Sequence, residues 1–149
     1  MHPHSSPPDA TCVTPILAAA RISTHSQSPQ WYTTAPIPAV RKLLNRVGWT
    51  VADVDAFEIN EAFAVQVLAF CDHFGLAADD QRINPYGGAI ALGHPLASSG
   101  VRLMIHLARA FREHPEVRYG ITTMCIGLGM GGTVIWENPH FYAELEAAA

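Results

Sequence analysis

Apolar runs of strand length alternate with 3.6-residue periodic faces from Ile16 to Glu137, and this alternation limits the fold more than any other feature of the chain. Ile16 to Thr24 reads as a strand, followed by a Ser, Gln and Pro loop. Pro36-Ile-Pro opens a helix, because the missing proline N–H costs nothing in a first turn. Ile37, Val40, Leu44 and Val47 share one face of it, and Gly48 is its stop. Val54 to Ile59 is a compact apolar strand, and Asn60-Glu-Ala-Phe starts the next helix with Asn60 in the capping position. That helix carries Phe63, Val67 and Phe70 and stops at Gly75. Pro85-Tyr-Gly-Gly is a turn, and Ala89 to Leu92 reads as a brief buried strand. A third helix runs from about Ser98 to Glu113 with Leu103, Leu107, Ala110 and Phe111 inward. Arg118 to Cys125 is a strand, Gly127 to Gly132 a glycine turn, and Thr133 to Glu137 the last strand. The order βαβαβαββ implies a layered α/β fold with a mostly parallel mixed sheet and helices on both faces. Residues 1–14, rich in Pro, Ser and His, read as a flexible lead-in, 15–138 as one domain, and 139–149 as a fraying tail.

Length and composition narrow the class. The 149 residues suit one domain, long enough to bury roughly 70% of the surface of the unfolded chain. Hydrophobic residues make up 49% and charged residues 15%, which excludes a disordered chain and leaves surface suited to a protein partner. The net charge is -4 and the nine basic residues form no run, so nucleic acid is not an expected partner. No apolar run approaches the roughly 20 residues of a membrane span. Met1 to Pro15 lacks a basic and an apolar region, so it is not expected to be a signal peptide. Cys12, Cys71 and Cys125 are odd in number and far apart, which fits a reducing cytoplasm better than a disulfide framework. The expectation is a soluble cytoplasmic domain.

Three segments each place a reactive side chain at the C-terminal end of a strand, where α/β folds collect their chemistry. They are Glu58-Ile-Asn60-Glu-Ala-Phe, Gly87-Gly-Ala-Ile-Ala-Leu-Gly-His94-Pro and Cys125-Ile-Gly127-Leu-Gly129-Met-Gly131. Glycines beside such residues let backbone N–H groups approach a ligand, so an N–H near Cys125 can face a developing oxyanion. His94 can donate a hydrogen bond or transfer a proton, and Asn60 can hold a water or a carbonyl. Each residue also has a plainer role: Cys125 as core filler, Asn60 as a helix cap, His94 bonded to backbone, the glycines as a hairpin. The remaining histidines show no metal-ligand pairing, so no metal is expected. The glycines at 127, 129, 131 and 132 do not open a helix as a dinucleotide fingerprint does.

Taken together and in order, Asn60-Glu-Ala-Phe, Gly87-Gly-Ala-Ile-Ala-Leu-Gly-His94-Pro, Ser99-Gly-Val-Arg102 and Cys125-Ile-Gly-Leu-Gly-Met-Gly resemble the C-terminal half of thiolases. Thr33-Thr-Ala-Pro-Ile-Pro-Ala-Val-Arg-Lys and Asp53-Val-Asp-Ala-Phe-Glu-Ile-Asn resemble the approach to the family's Asn motif, so the likeness spans about Pro15 to Glu137. The resemblance implies acyl transfer on CoA thioesters, either thiolysis of a 3-ketoacyl-CoA or condensation to acetoacetyl-CoA, and a place in fatty-acid and lipid metabolism. Coenzyme A enters as a substrate, and no cofactor is implied. By position Cys125 matches the acid/base cysteine and His94 the histidine that activates the nucleophile and faces the thioester oxygen. Asn60 matches the residue holding the water of that oxyanion hole, Gly127 the backbone donor of the other, and Ala62 and Phe63 the lining of the pantetheine tunnel.

The departures from the family pattern are instructive. The family's nucleophilic cysteine belongs to an N-terminal half. Cys12 has no glycine-rich strand-to-helix turn around it, and Cys71 reads as a core thiol. Ala97 stands where the family more often has glycine. The implied partners are acyl-CoA and CoA, together with a thiolase N-terminal half or a second copy of the chain. The chain alone is then expected to be inactive. The competing expectation is a truncated, non-catalytic thiolase-like module serving as an interaction or dimerisation domain.

Overall fold

The computed structural model describes residues 18–141, so Cys12, the expected lead-in and the end of the expected tail lie outside the described residues. The elements run β1 (Ala18–Ser26), a 3₁₀ segment (Pro29–Thr34), α1 (Pro36–Val47), β2 (Ala56–Ile59), α2 (Ala64–Phe74), α3 (Ala89–Leu92), α4 (Ser99–Glu113), β3 (Tyr119–Gly127) and β4 (Met130–Glu137). Thr50 and Asp53 form a capping box on the short 3₁₀ turn that leads into β2.

The strands pair in the order β1-β4-β3-β2. Among the described strands β2 and β3 pair parallel, while β1–β4 and β3–β4 are antiparallel, so the sheet is mixed and mostly antiparallel rather than mostly parallel. Connection length is the reason. A helical crossover separates β2 from β3 and permits parallel pairing, whereas a two-residue turn joins β3 to β4 and forces reversal. In that turn Leu128 (φ 50°) and Gly129 (φ 83°) both take left-handed backbone, the signature of a tight hairpin. A Cβ on Gly129 would stand 2.1 Å from the Gln27 carbonyl oxygen, so the turn presses against the end of β1.

The segment expected as a third strand, Ala89–Leu92, is a single helical turn. Leu92 N–H donates to the Gly88 carbonyl and Gly93 N–H to that of Ala89, so its backbone is satisfied internally. The free edge of β2 is taken instead by Arg82 to Asn84: Phe57 N–H donates to the Arg82 carbonyl, and Asn84 N–H to that of Phe57. The glycine turn is also shorter than expected, since Gly131 and Gly132 already pair within β4.

Helices cover both faces of the sheet. Alternation along β2 sends Phe57 and Ile59 to one side, where they join Ile121 and Ile135 against Val40, Leu43 and Leu44 of α1 and Phe70 of α2. Ala56 faces the other side and packs with Leu107 and Phe111 of α4. α4 spans only part of that second face. Next to it a groove of about 290 Å³ runs along β1, β3 and β4, lined by residues including Ile22, Met104, Ile126, Val134 and Trp136. Ile22, Ile126, Val101 and Ile105 are all exposed around it. No described helix is long and apolar enough to cross a membrane.

Candidate active site

The ends of the parallel pair build the floor of the site. Asn60 N–H donates to the Thr123 carbonyl at 2.9 Å, extending the β2–β3 ladder by one rung. On the opposite side Asn84 imitates a strand: its Oδ1 accepts from Ile59 N–H at 2.7 Å and its Nδ2 donates to the Ile59 carbonyl at 2.9 Å. Asn60 is thus held by Thr123, the residue before it is held by Asn84, and Asn60 itself is buried, 1% exposed. It is not the cap of α2, because that helix begins four residues later with Phe63 in the N-cap position. Glu61 ties the floor to the histidine loop. Its carboxylate accepts from Asn84 Nδ2 at 2.7 Å and from Ile90 N–H at 3.0 Å. Only glycine permits this approach at position 88, where a Cβ would meet the Glu61 carboxylate at 2.2 Å.

His94 is fixed through both ring nitrogens. Nδ1 lies 2.7 Å from Oγ of Ser99, a residue with no exposed surface, and Ser99 Oγ donates to the Pro95 carbonyl at 3.1 Å. With its one hydrogen committed to Pro95, the Ser99 hydroxyl accepts from Nδ1–H, which leaves a lone pair on Nε2. Asn60 Nδ2 stands 3.5 Å from that Nε2, at the outer limit of a hydrogen bond, and agrees with the same tautomer. Asn60 Oδ1 is buried and has no hydrogen-bond partner among the described residues. Arg102 Nη1 donates to the Gly93 carbonyl at 2.7 Å and anchors the loop from α4.

Cys125 sits on β3 just before an irregularity in the β3–β4 register between Cys125 and Gly127. Its thiol is nearly buried and donates to Gln66 Oε1 at 3.5 Å. Burial pushes the thiol up from its ordinary value, opposed by its own backbone N–H and by the Gln66 amide where that acts as a donor to the thiolate. His94, Cys125 and Gly127 line one open cleft of about 490 Å³ together with Ala62, Phe63 and the apolar Leu96 and Ile126. Phe63, half exposed, meets the Tyr32 ring edge-on at 6.1 Å across its mouth. All six residues singled out from the sequence therefore meet at one place, five on the cleft wall and Asn60 beside His94. A thiol, an imidazole with a free lone pair and an apolar wall together suit proton transfer next to a bound acyl group. Among the described residues no group of three His, Cys, Asp or Glu side chains is placed to hold a metal ion.

Sequence reasoning missed the supports: Ser99 behind His94, Gln66 beside Cys125, Asn84 beneath Asn60. Ser99 did stand within a quoted motif, and its spacing of five from His94 was the available signal. It also missed Glu58, buried (1% exposed) on the α4 side of β2. Burial, with the Glu61 charge added, pushes this carboxyl up to about 8, and Arg102 opposes the shift. His106 Nδ1 approaches Glu58 Oε2 at 3.5 Å, but burial pushes the imidazole down, with Arg102 and Arg109 contributing. At neutral pH both groups are uncharged, so the contact is not an ion pair.

Comparison with known proteins shows the family. The sequence profile of the family described as "Thiolase, C-terminal domain" matches residues 13–138. The beta-ketoadipyl-CoA thiolase of Pseudomonas knackmussii is 50% identical over 111 residues, covering 74% of this chain and 27% of that protein. The 3-oxoadipyl-CoA/3-oxo-5,6-dehydrosuberyl-CoA thiolase of Escherichia coli K12 is 41% identical over 126 residues, covering 85% and 31%. The acetyl-CoA acetyltransferase of Paracoccus denitrificans is 41% identical over 127 residues, covering 85% and 32%. The chain spans under a third of the length of these curated relatives. A profile match over nearly the whole chain, relatives at this identity and a cleft that gathers the motif residues lead to one statement: the chain belongs to the thiolase family, through that family's C-terminal domain.

Proposed function

We propose that this chain supplies the acid/base and oxyanion half of a site for thiolase-type acyl transfer on 3-ketoacyl-CoA, completed by a thiolase half that carries the nucleophilic cysteine. The observation that carries the reading is the single cleft lined by Cys125, His94 and Gly127, with Asn60 against the imidazole. In the condensing direction the Cys125 thiolate takes a proton from the methyl carbon of acetyl-CoA. The resulting enolate oxygen is held by a water on Asn60 and by His94 in the form that carries a proton on Nε2. In thiolysis the Cys125 thiol returns that proton to the departing enolate. The His94 Nε2 lone pair accepts the proton of the incoming nucleophilic thiol, and the resulting N–H donates to the thioester oxygen. Gly127 N–H serves the second oxyanion, and Ala62 and Phe63 border the pantetheine arm of the CoA substrate.

The apolar groove beside α4, with Val101 and Ile105 exposed next to it, supports association with a second thiolase half. The test is CoA-dependent thiolysis of acetoacetyl-CoA and 3-oxoadipyl-CoA by the chain alone and mixed with a separately produced thiolase N-terminal half. Turnover is expected only in the mixture. Cys125→Ala should lower it by about 10²–10⁴-fold while acyl loading of the partner's cysteine persists, and His94→Ala should impair both steps. A mixture that stays inactive, or turnover indifferent to Cys125→Ala, overturns the proposal.

A further inference from the structure

Gln66 stands in the first turn of α2, 2% exposed, with its amide against the sulfur of Cys125. Its Oε1 accepts from the thiol at 3.5 Å, while its Nε2, equally buried, has no hydrogen-bond partner among the described residues. A buried amide nitrogen without an acceptor is costly, and such a group in a native fold calls for a reason. A carboxamide offers an acceptor at one end and two donors at the other, on a terminal torsion that turns over without backbone movement. A thiol needs an acceptor, and a thiolate needs a donor. We propose that Gln66 is a positioning residue for Cys125, its carboxamide accepting from the thiol through Oε1 and, turned over, donating from Nε2 to the thiolate.

The proposal rests on reading Cys125 as the acid/base residue, and it supplies what that role lacks. Met124 and Ile126 flank the sulfur along the strand and Ala62, Phe63 and Leu96 share the cleft wall; His94 and Tyr32 are the titratable side chains that line the same cleft, while the side chain hydrogen-bonded to the sulfur is Gln66. Burial accordingly disfavours the thiolate, and a donor that appears only after deprotonation offsets this without weakening the thiol. Turning the amide moves no proton; the proton leaving Cys125 passes to the α-carbon of the departing enolate or, in the free protein, to solvent in the cleft.

The experiment is alkylation of Cys125 by iodoacetamide in the full chain as a function of pH, read by peptide mass spectrometry so that the other thiols are scored separately. In wild type the rate follows the thiolate fraction. Gln66→Met keeps length and removes both polar ends. Its midpoint is expected to rise by about one pH unit, which makes alkylation about tenfold slower below the midpoint, with the plateau rate at high pH unchanged. Loosened packing would act oppositely, raising the plateau and lowering the midpoint through admitted water. Gln66→Glu keeps the shape with an anion in place of the donor, and a larger upward shift is expected. If the Met variant does not fold, the Glu variant decides alone. A midpoint unmoved or lowered in the folded variant overturns the proposal. Alkylation needs neither turnover nor a partner chain, so its failure is distinct from failure of the thiolysis test.

Discussion

At the residue scale, the chain spends its burial on polar groups whose protonation matters. Glu58 shows the consequence most directly, since Glu61, Arg102 and His106 face it and its carboxyl titrates near 8 instead of near 4.5. A folded-state value above the unfolded one means that folding takes up a proton between the two. The stabilisation is complete below about pH 4.5 and is lost as the pH rises through about 8. His106 runs the other way, because its neutral form is favoured and its cost appears in acid. Comparing Glu58→Gln with wild type isolates the carboxylate. Denaturant unfolding from pH 5 to 9 should show the variant gaining on wild type as pH rises, by on the order of a few kcal/mol. Parallel profiles would mean that Glu58 is ionised in the fold.

The six candidate residues could be named from the sequence because they stand in uninterrupted motifs, and the fold brings them to one cleft. Ser99, Gln66 and Asn84 were not, because each acts through a partner on another element. Asn84 meets Ile59 across 25 residues, and Gln66 meets Cys125 across 59. No local pattern encodes such a pairing.

At the scale of elements, α1 and α4 were readable because buried positions such as Val40 and Leu44, or Leu103 and Leu107, recur at helical spacing. Strand direction was not, because β1 finds β4 across more than a hundred residues, and periodicity carries no information about partner or sense. Ala89–Leu92 misled for a related reason: four apolar residues fit a strand and a helical turn equally well. The join between β4 and the start of α1 offers a sharp test of element packing. A Cβ on Gly131 would stand 2.4 Å from the Ala35 carbonyl oxygen and 2.8 Å from Pro36 N, both backbone atoms that cannot swing aside. Gly131→Ala should therefore lower stability by about 1–3 kcal/mol or more, seen as a reduced Tm in thermal unfolding. An unchanged Tm would mean that α1 does not seat against β4 as described.

At the scale of the whole molecule, one sheet face is fully clothed and the other only half. α1 and α2 close over Phe57 and Ile121, while α4 leaves Ile22 and Ile126 bare beside the exposed Val101 and Ile105. A charge placed there separates the needs of the fold from those of an assembly. Ile105→Lys is expected to change the stability of the chain by no more than about 0.5 kcal/mol. In the mixture with a thiolase N-terminal half, it should reduce turnover at limiting concentration of that half. Thermal unfolding and a titration of activity against the added half check the two expectations together. A large loss of stability with intact titration would place Ile105 in the core of this chain rather than on its proposed interface.

The single parallel pairing has a consequence in time. β3 and β4 are joined by two residues and can zip at once, whereas β2 reaches β3 only after α2, α3 and α4 have been laid between them. Closing long loops is entropically unfavourable until the contacts that reward closure exist, so non-local pairings form late. The bond from Asn60 N–H to the Thr123 carbonyl is the last rung of that late pairing, and it sets Asn60 beside the strand that carries Cys125. The hairpin with its thiol is thus favoured early, and Asn60 joins it only through a later, non-local pairing.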